Sequence, residues 1–106
     1  MEQDRYIETF TIDWQGIALS VSYEAKWLGI RRPADRAIAH LQVEAIQPQR
    51  ARLPITETGY RSHFLSPQEI DAAGGPVQYA LAWLDAEAKS REWRNYLDTT
   101  RQLSLF

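Results

Sequence analysis

The chain has 106 residues, 44% of them hydrophobic and 25% charged, the make-up of one globular domain rather than a disordered or low-complexity chain. Twelve basic and fourteen acidic side chains leave a formal net charge of −2, so no overall field draws the molecule onto nucleic acid or an anionic membrane, and direct nucleic-acid binding is not expected. Cysteine is absent, which excludes disulfides, thiolate nucleophiles and cysteine-bound zinc or iron–sulfur clusters.

A chain of this length buries about two-thirds of its unfolded surface, enough for one modest core. No apolar run approaches the ~20 residues of a membrane span, and Met1-Glu2-Gln3-Asp4-Arg5 lacks the character of a signal peptide. The expected location is the cytoplasm. Ten of the twelve cations are arginine, Lys26 and Lys89 being the lysines. That bias fits GC-rich coding as well as it fits bidentate carboxylate or phosphate contacts.

From Arg5 to Tyr23 the pattern is that of a hairpin. Tyr6, Phe10, Ile12 and Trp14 share one parity, broken by Glu8, and Ile7, Thr9 and Thr11 take the other. After the turn signal Asp13–Trp14–Gln15–Gly16, Ile17, Leu19, Val21 and Tyr23 alternate with Ala18, Ser20 and Ser22, so one face of the pair is expected to be buried. Residues 24–36 break the rhythm, with Gly29 and Pro33 marking a loop whose first part, carrying Trp27, Leu28 and Ile30, is expected to fold back over an open end of the sheet. Alternation returns over Ala37–Ile46, with Ala39, Leu41, Val43 and Ala45 facing in and His40, Gln42 and Glu44 facing solvent. Leu53–Pro54–Ile55–Thr56 reads as a short edge segment, where proline is tolerated.

The second half is helical. Ser66-Pro67-Gln68-Glu69 is a capping box with proline at the first helical position. Gly74–Gly75 ends that helix and Pro76 opens the next, whose apolar stripe is Val77, Ala80, Leu81, Leu84 and Ala88, widened by Trp83. Ser90 caps a third helix with Trp93, Tyr96 and Leu97 on one face. Strands followed by helices predict an α+β fold: an antiparallel three- to four-stranded sheet with the C-terminal helices packed on one face. One domain is expected over 1–100, with a tail over 101–106.

Chemistry in the body is sparse. The two histidines, His40 and His63, do not stand in a metal-ligand spacing, so neither metal nor cofactor is expected. His40 reads as a solvent-facing polar position on its strand. The stretch 55–65 gathers Glu57, Tyr60, Arg61 and His63 with little periodicity, just before a capped helix. These four residues are the candidate ligand-binding site, in which Arg61 with Tyr60 and His63 grips a phosphate or carboxylate. The competing structural reading makes Gly59 a turn, has Tyr60 and Phe64 plug the sheet–helix junction, and pairs Arg61 with Glu57 or Asp71. A hydrolase built on Ser62 and His63 is disfavoured, because neighbours in sequence seldom face each other and no Gly-x-Ser-x-Gly turn is present. No catalytic residue is assigned, and an enzyme is not expected. Arg31, Arg32, Arg36, Arg50 and Arg52 form a basic patch only if their two loops share one end of the sheet.

The tail differs in kind. Gln102-Leu103-Ser104-Leu105-Phe106 resembles at every position the bacterial sliding-clamp-binding pentapeptide of replication and repair proteins, Gln-Leu-(Ser or Asp)-Leu-Phe. The resemblance covers five residues. It implies that Gln102 hydrogen-bonds in a polar subsite, that Leu105 and Phe106 fill the deep pocket between clamp subdomains, and that Leu103 and Ser104 span between them. Burying Leu105 and Phe106 contributes roughly 1.5–3 kcal/mol each. After the cost of ordering the tail, a near-micromolar affinity of about −8 kcal/mol is expected.

The body, through residues 53–64 and Gly74–Gly75–Pro76, also resembles a family of small proteobacterial proteins of uncharacterised activity, some of them plasmid-associated. The leading expectation is therefore a small non-enzymatic accessory protein, docked on the sliding clamp by its last five residues and acting in replication, repair or plasmid maintenance. The alternative is a small-ligand-binding or enzymatic domain around Tyr60, Arg61 and His63, with the tail as internal core. A homodimer sealed by the tail, or by Trp27 and Ile30, is a third reading, and the sequence leaves oligomeric state open.

Overall fold

The computed structural model describes residues 5–103. Four strands, β1 (Glu8–Trp14), β2 (Ile17–Glu24), β3 (Ala39–Gln47) and β4 (Tyr60–Leu65), form one antiparallel sheet in chain order. Three helices follow, α1 (Pro67–Ala73), α2 (Pro76–Glu87) and α3 (Arg91–Leu103). The expected α+β architecture is the one observed.

Each element traces to local chemistry. The β1–β2 turn has positive φ at both Gln15 (49°) and Gly16 (83°), the backbone of a two-residue hairpin whose twist matches its strands. Asp13 Oδ2 accepts from the Gly16 amide at 3.3 Å. The inward parity of Leu19, Val21, Leu41, Val43 and Ala45 is fully buried, and α2 closes over it with Ala80 and Leu84. Each large aliphatic side chain buried there contributes about 1.5–3 kcal/mol. At α1 the Ser66 hydroxyl accepts from the Glu69 amide (3.4 Å) while the Glu69 carboxylate accepts from the Ser66 amide (3.1 Å). Gly74 then ends the helix at φ 97°. Ser90 Oγ accepts from the Trp93 amide at 3.1 Å and so caps α3.

Two expectations are corrected. Residues 60–65 are not irregular: they form β4, paired with β3 from Ala39↔Leu65 to Glu44↔Tyr60. Its alternation escapes notice because an edge strand's inner face is only half covered, so Arg61 and His63 stand where a central strand carries aliphatics. The segment 53–56 is a self-paired turn rather than an edge strand, Leu53 and Thr56 exchanging backbone hydrogen bonds at 2.9 and 3.1 Å. Leu53 and Ile55 are buried and complete one end of the core.

The β2–β3 connection folds back as expected, through 3-10 turns at Trp27–Gly29 and Ala34–Arg36. The Trp27 amide donates to the Ile38 carbonyl at 3.0 Å, and its ring lies edge-on to Phe64 at 4.8 Å. This connection leaves one end of β3 and the β3–β4 connection leaves the other. Arg31, Arg32 and Arg36 are therefore separated from Arg50 and Arg52, and the five make no common patch.

Candidate functional site

The strand period decides which candidate residues can meet. In β4, Arg61 and His63 face the helices, while Tyr60, Ser62 and Phe64 face the opposite, mostly polar side of the sheet with His40, Gln42 and Glu44. Tyr60 is thus not brought to Arg61 and His63. Nor do Tyr60 and Phe64 plug the sheet–helix junction; they are 40% and 48% exposed on the far face.

On the helix side, α2 lays Tyr79 and Trp83 across β4. The Arg61 guanidinium sits over the Trp83 ring at 5.4 Å and donates to the Ile55 carbonyl at 3.4 Å. His63 packs on Trp83 with centroids 4.8 Å apart, and its Nε2 lies 3.4 Å from the Tyr79 hydroxyl. Burial pushes the Tyr79 phenol above its ordinary pKa, with the Glu69 charge adding to it. His63 is therefore part of an aromatic cluster at the sheet–helix seam.

Arg61 and Glu57 instead line a cleft of about 570 Å³ between the β3–β4 connection and the start of α3, with Arg52, Arg91 and Trp93. Arg52 is held over the Tyr96 ring at 4.5 Å and lies 3.6 Å from the Glu57 carboxylate. Glu57 is 82% exposed, so that ion pair adds little stability. Glu87 and Glu92 also line the cleft, and with Glu57 they set three carboxylates against its three guanidiniums. Trp93 is 5% exposed, and its indole N–H is buried with no hydrogen-bond partner, a group that native interiors seldom leave unsatisfied. Proximity in the chain made Glu57 and Arg61 visible as neighbours. Arg91 and Trp93, thirty residues on, carried no such signal.

The far face holds a pairing that the sequence did not announce. His40 Nε2 and Ser62 Oγ lie 2.6 Å apart, because the register sets His40 opposite Phe64 and Gln42 opposite Ser62. Next to them Glu24, 3% exposed, accepts both arms of the Arg5 guanidinium at 2.8 and 2.9 Å and the Leu28 amide at 3.2 Å. Among the described residues no group of three or more His, Asp or Glu side chains is placed to hold a metal ion, and no helix is long and apolar enough to cross a membrane.

Of the expected docking segment, Gln102 and Leu103 complete the backbone of α3, and Ser104, Leu105 and Phe106 lie outside the described residues. Compared with known proteins, residues 7–93 match a family model described as the KlcB third domain. No curated protein and no solved structure matches the chain.

Proposed function

The chain belongs to the KlcB third-domain family, matched over residues 7–93, and on that footing we propose that it is a small accessory module docking on the bacterial sliding clamp through Gln102–Leu103–Ser104–Leu105–Phe106. The family description places such a unit third within KlcB; the matched region ends before the docking segment begins. In this reading Leu105 and Phe106 fill the clamp's apolar pocket, Gln102 bonds at its polar edge, and Leu103 and Ser104 bridge the two. Occupying that groove competes with other clamp partners, which suits a cytoplasmic role in replication, repair or the maintenance of a plasmid.

The observation that supports this reading is the course of α3. Trp93 is buried and Tyr96 half-buried against the core, but every residue from Leu97 to Arg101 is exposed. Five exposed residues span more than a helical turn, so the second half of α3 leads away from a core that closes without it. The test is titration of the full chain against purified clamp. Micromolar binding is expected, lost in the Leu105→Ala/Phe106→Ala double variant. Equal affinity of that variant, or no binding by the intact chain, overturns the proposal.

A second reading, a small-ligand site, rests on the cleft at Glu57 and Arg61. Guanidiniums from the β3–β4 connection, β4 and α3, beside an unsatisfied indole N–H, suit a compact anion with its own hydrogen-bond acceptors. Inorganic phosphate at millimolar concentration is the probe. A rise in Tm that is lost in Arg61→Ala supports the reading, and an unchanged Tm removes it.

A further inference from the structure

The His40–Ser62 pair lies on the opposite side of the sheet from the cleft. Its geometry is that of a hydroxyl held in hydrogen-bond contact with an imidazole. The Oγ–Nε2 separation of 2.6 Å is at the short end for such a bond, and in the neutral Nδ1–H tautomer the hydroxyl donates to Nε2. The ring is fixed from one side, since Phe64 stacks on it at 4.4 Å and 16°. Phe64 is itself held by the edge of Trp27 at 4.8 Å and 72°. Ser62 is exposed and His40 half-buried, so the pair is open to a reactant.

Three neighbours complete the surroundings. Gln42 stands directly across from Ser62 in the register, on the same face, and offers a side-chain amide as hydrogen-bond donor. An apolar hollow of about 330 Å³, walled by Trp27, Ala37, Ile38, Phe64 and Leu65, lies beside Phe64 rather than against Ser62 itself. Phe64 is common to the hollow and to the His40 stack. Partial burial holds the His40 imidazole below its ordinary pKa, the Glu24 charge acting upward and the Arg5 charge downward, so near neutral pH it stands ready to take a proton. The Glu24 carboxylate is committed to Arg5 and Leu28 and contributes charge alone.

We propose that Ser62 is a nucleophile activated by His40, and that it accepts the acyl group of small activated esters whose apolar acyl chain lies along Phe64 toward the hollow. Ser62 Oγ bonds to the ester carbonyl carbon as its proton passes to His40 Nε2, and the oxygen that gains charge lies within reach of an amide donor such as Gln42. Breaking the bond between the carbonyl carbon and the ester oxygen releases the alcohol, which takes the proton from His40. Water then attacks the acyl-serine, its proton again going to His40, and Ser62 leaves as the hydroxyl when that proton returns. The products are one carboxylic acid and one alcohol per ester consumed. The docking reading does not bear on this chemistry, and either can fail without the other.

The test uses the full chain with p-nitrophenyl acetate and p-nitrophenyl butyrate, following nitrophenolate release and locating any acyl adduct by peptide mass mapping. Release above the buffer rate is expected, with an acyl group on Ser62. Ser62→Ala abolishes both, and His40→Gln slows release by about 100-fold, the lower range of a general base's contribution. Ser62→Cys, which places one thiol in a cysteine-free chain, keeps the nucleophile and is expected to become acylated. Acylation confined to Lys26, Lys89 or the amino terminus, or release by Ser62→Ala equal to that of the wild type, overturns the proposal. A folded Ser62→Cys that stays unmodified does so too.

Discussion

The indole of Trp14, at the end of β1, donates to Asp85 Oδ1 of α2 at 2.9 Å across 71 residues of sequence. Trp14 is 3% exposed and packs on Trp93 of α3 with ring centroids 6.0 Å apart. One side chain thereby ties the first strand to the last two helices, and its polar tip is satisfied by a carboxylate at the surface. Trp14→Phe keeps most of the apolar contact but removes a hydrogen bond to a charged group, a loss of about 1.5–3 kcal/mol. Trp14→Ala also opens a cavity and costs about 3–5 kcal/mol. Urea denaturation of the two variants should give that order.

Gly59 stands where the chain enters β4, with φ +79°. A Cβ built there falls 2.6 Å from the backbone of Arg50, and backbone cannot swing aside as a side chain can. Its carbonyl also accepts from the Ala45 amide at 2.8 Å, anchoring the connection that shapes the cleft. Gly59→Ala should therefore destabilise by more than the roughly 1–2 kcal/mol that left-handed backbone alone costs a non-glycine residue. Gly16 in the hairpin turn is the control. It has the same sign of φ with nothing within 4 Å of its Cβ position, so Gly16→Ala carries backbone strain only. Comparable urea midpoints for the two would remove the steric argument.

What could be read from the chain divides by the distance over which each signal acts. The β1–β2 hairpin and the Ser66 cap are written in consecutive residues, so their turn chemistry and alternation are visible without a partner strand. β4 is different. Of its inward residues, Arg61 lies over Trp83 and His63 packs between Trp83 and Tyr79, aromatics from α2 that only the folded chain brings to them. Parity, once β4 is a strand, sends Tyr60 away from Arg61 and divides the expected four-residue site. The His40–Ser62 contact depends on the register between β3 and β4, and nothing in the spacing of either residue reveals that register. Arg91 and Trp93 join the cleft because α3 starts beside the β3–β4 connection, which is again a tertiary fact.

Ser66 offers a measurement of local stability near the site. Its hydroxyl satisfies one orphan amide at the start of α1, and Glu69 answers with the reciprocal bond. Ser66→Ala should lower stability by about 1 kcal/mol, within the usual 0.5–2 range for such caps. Since α1 directly follows β4, hydrogen exchange in Phe64 and Leu65 should quicken in that variant, while β1 and β2 stay protected. Uniform loss of protection across the sheet would show instead that α1 is not a separate opening unit.

The Arg5–Glu24 pair sets an acid limit on the N-terminal edge. The Glu24 carboxyl is held below its usual pKa, chiefly by its hydrogen bonds with the Arg5 guanidinium and then by the Leu28 amide and the Arg5 charge, against the opposing effect of burial. A carboxylate whose folded pKa is depressed binds protons less readily in the native state than in the unfolded one. Its contribution to stability is thus fully present above the ordinary carboxylate range of about 4.3 and is lost as pH falls from there toward the depressed folded value. Arg5→Ala removes the main cause of the depression and leaves Glu24 buried beside the Leu28 amide. Two results are expected from urea midpoints measured across the acid range. The variant should be weaker than the wild type at neutral pH, and its midpoint should fall less steeply between pH ~5 and the acid limit. Parallel pH profiles for the two proteins would mean that the guanidinium does not set the protonation of Glu24.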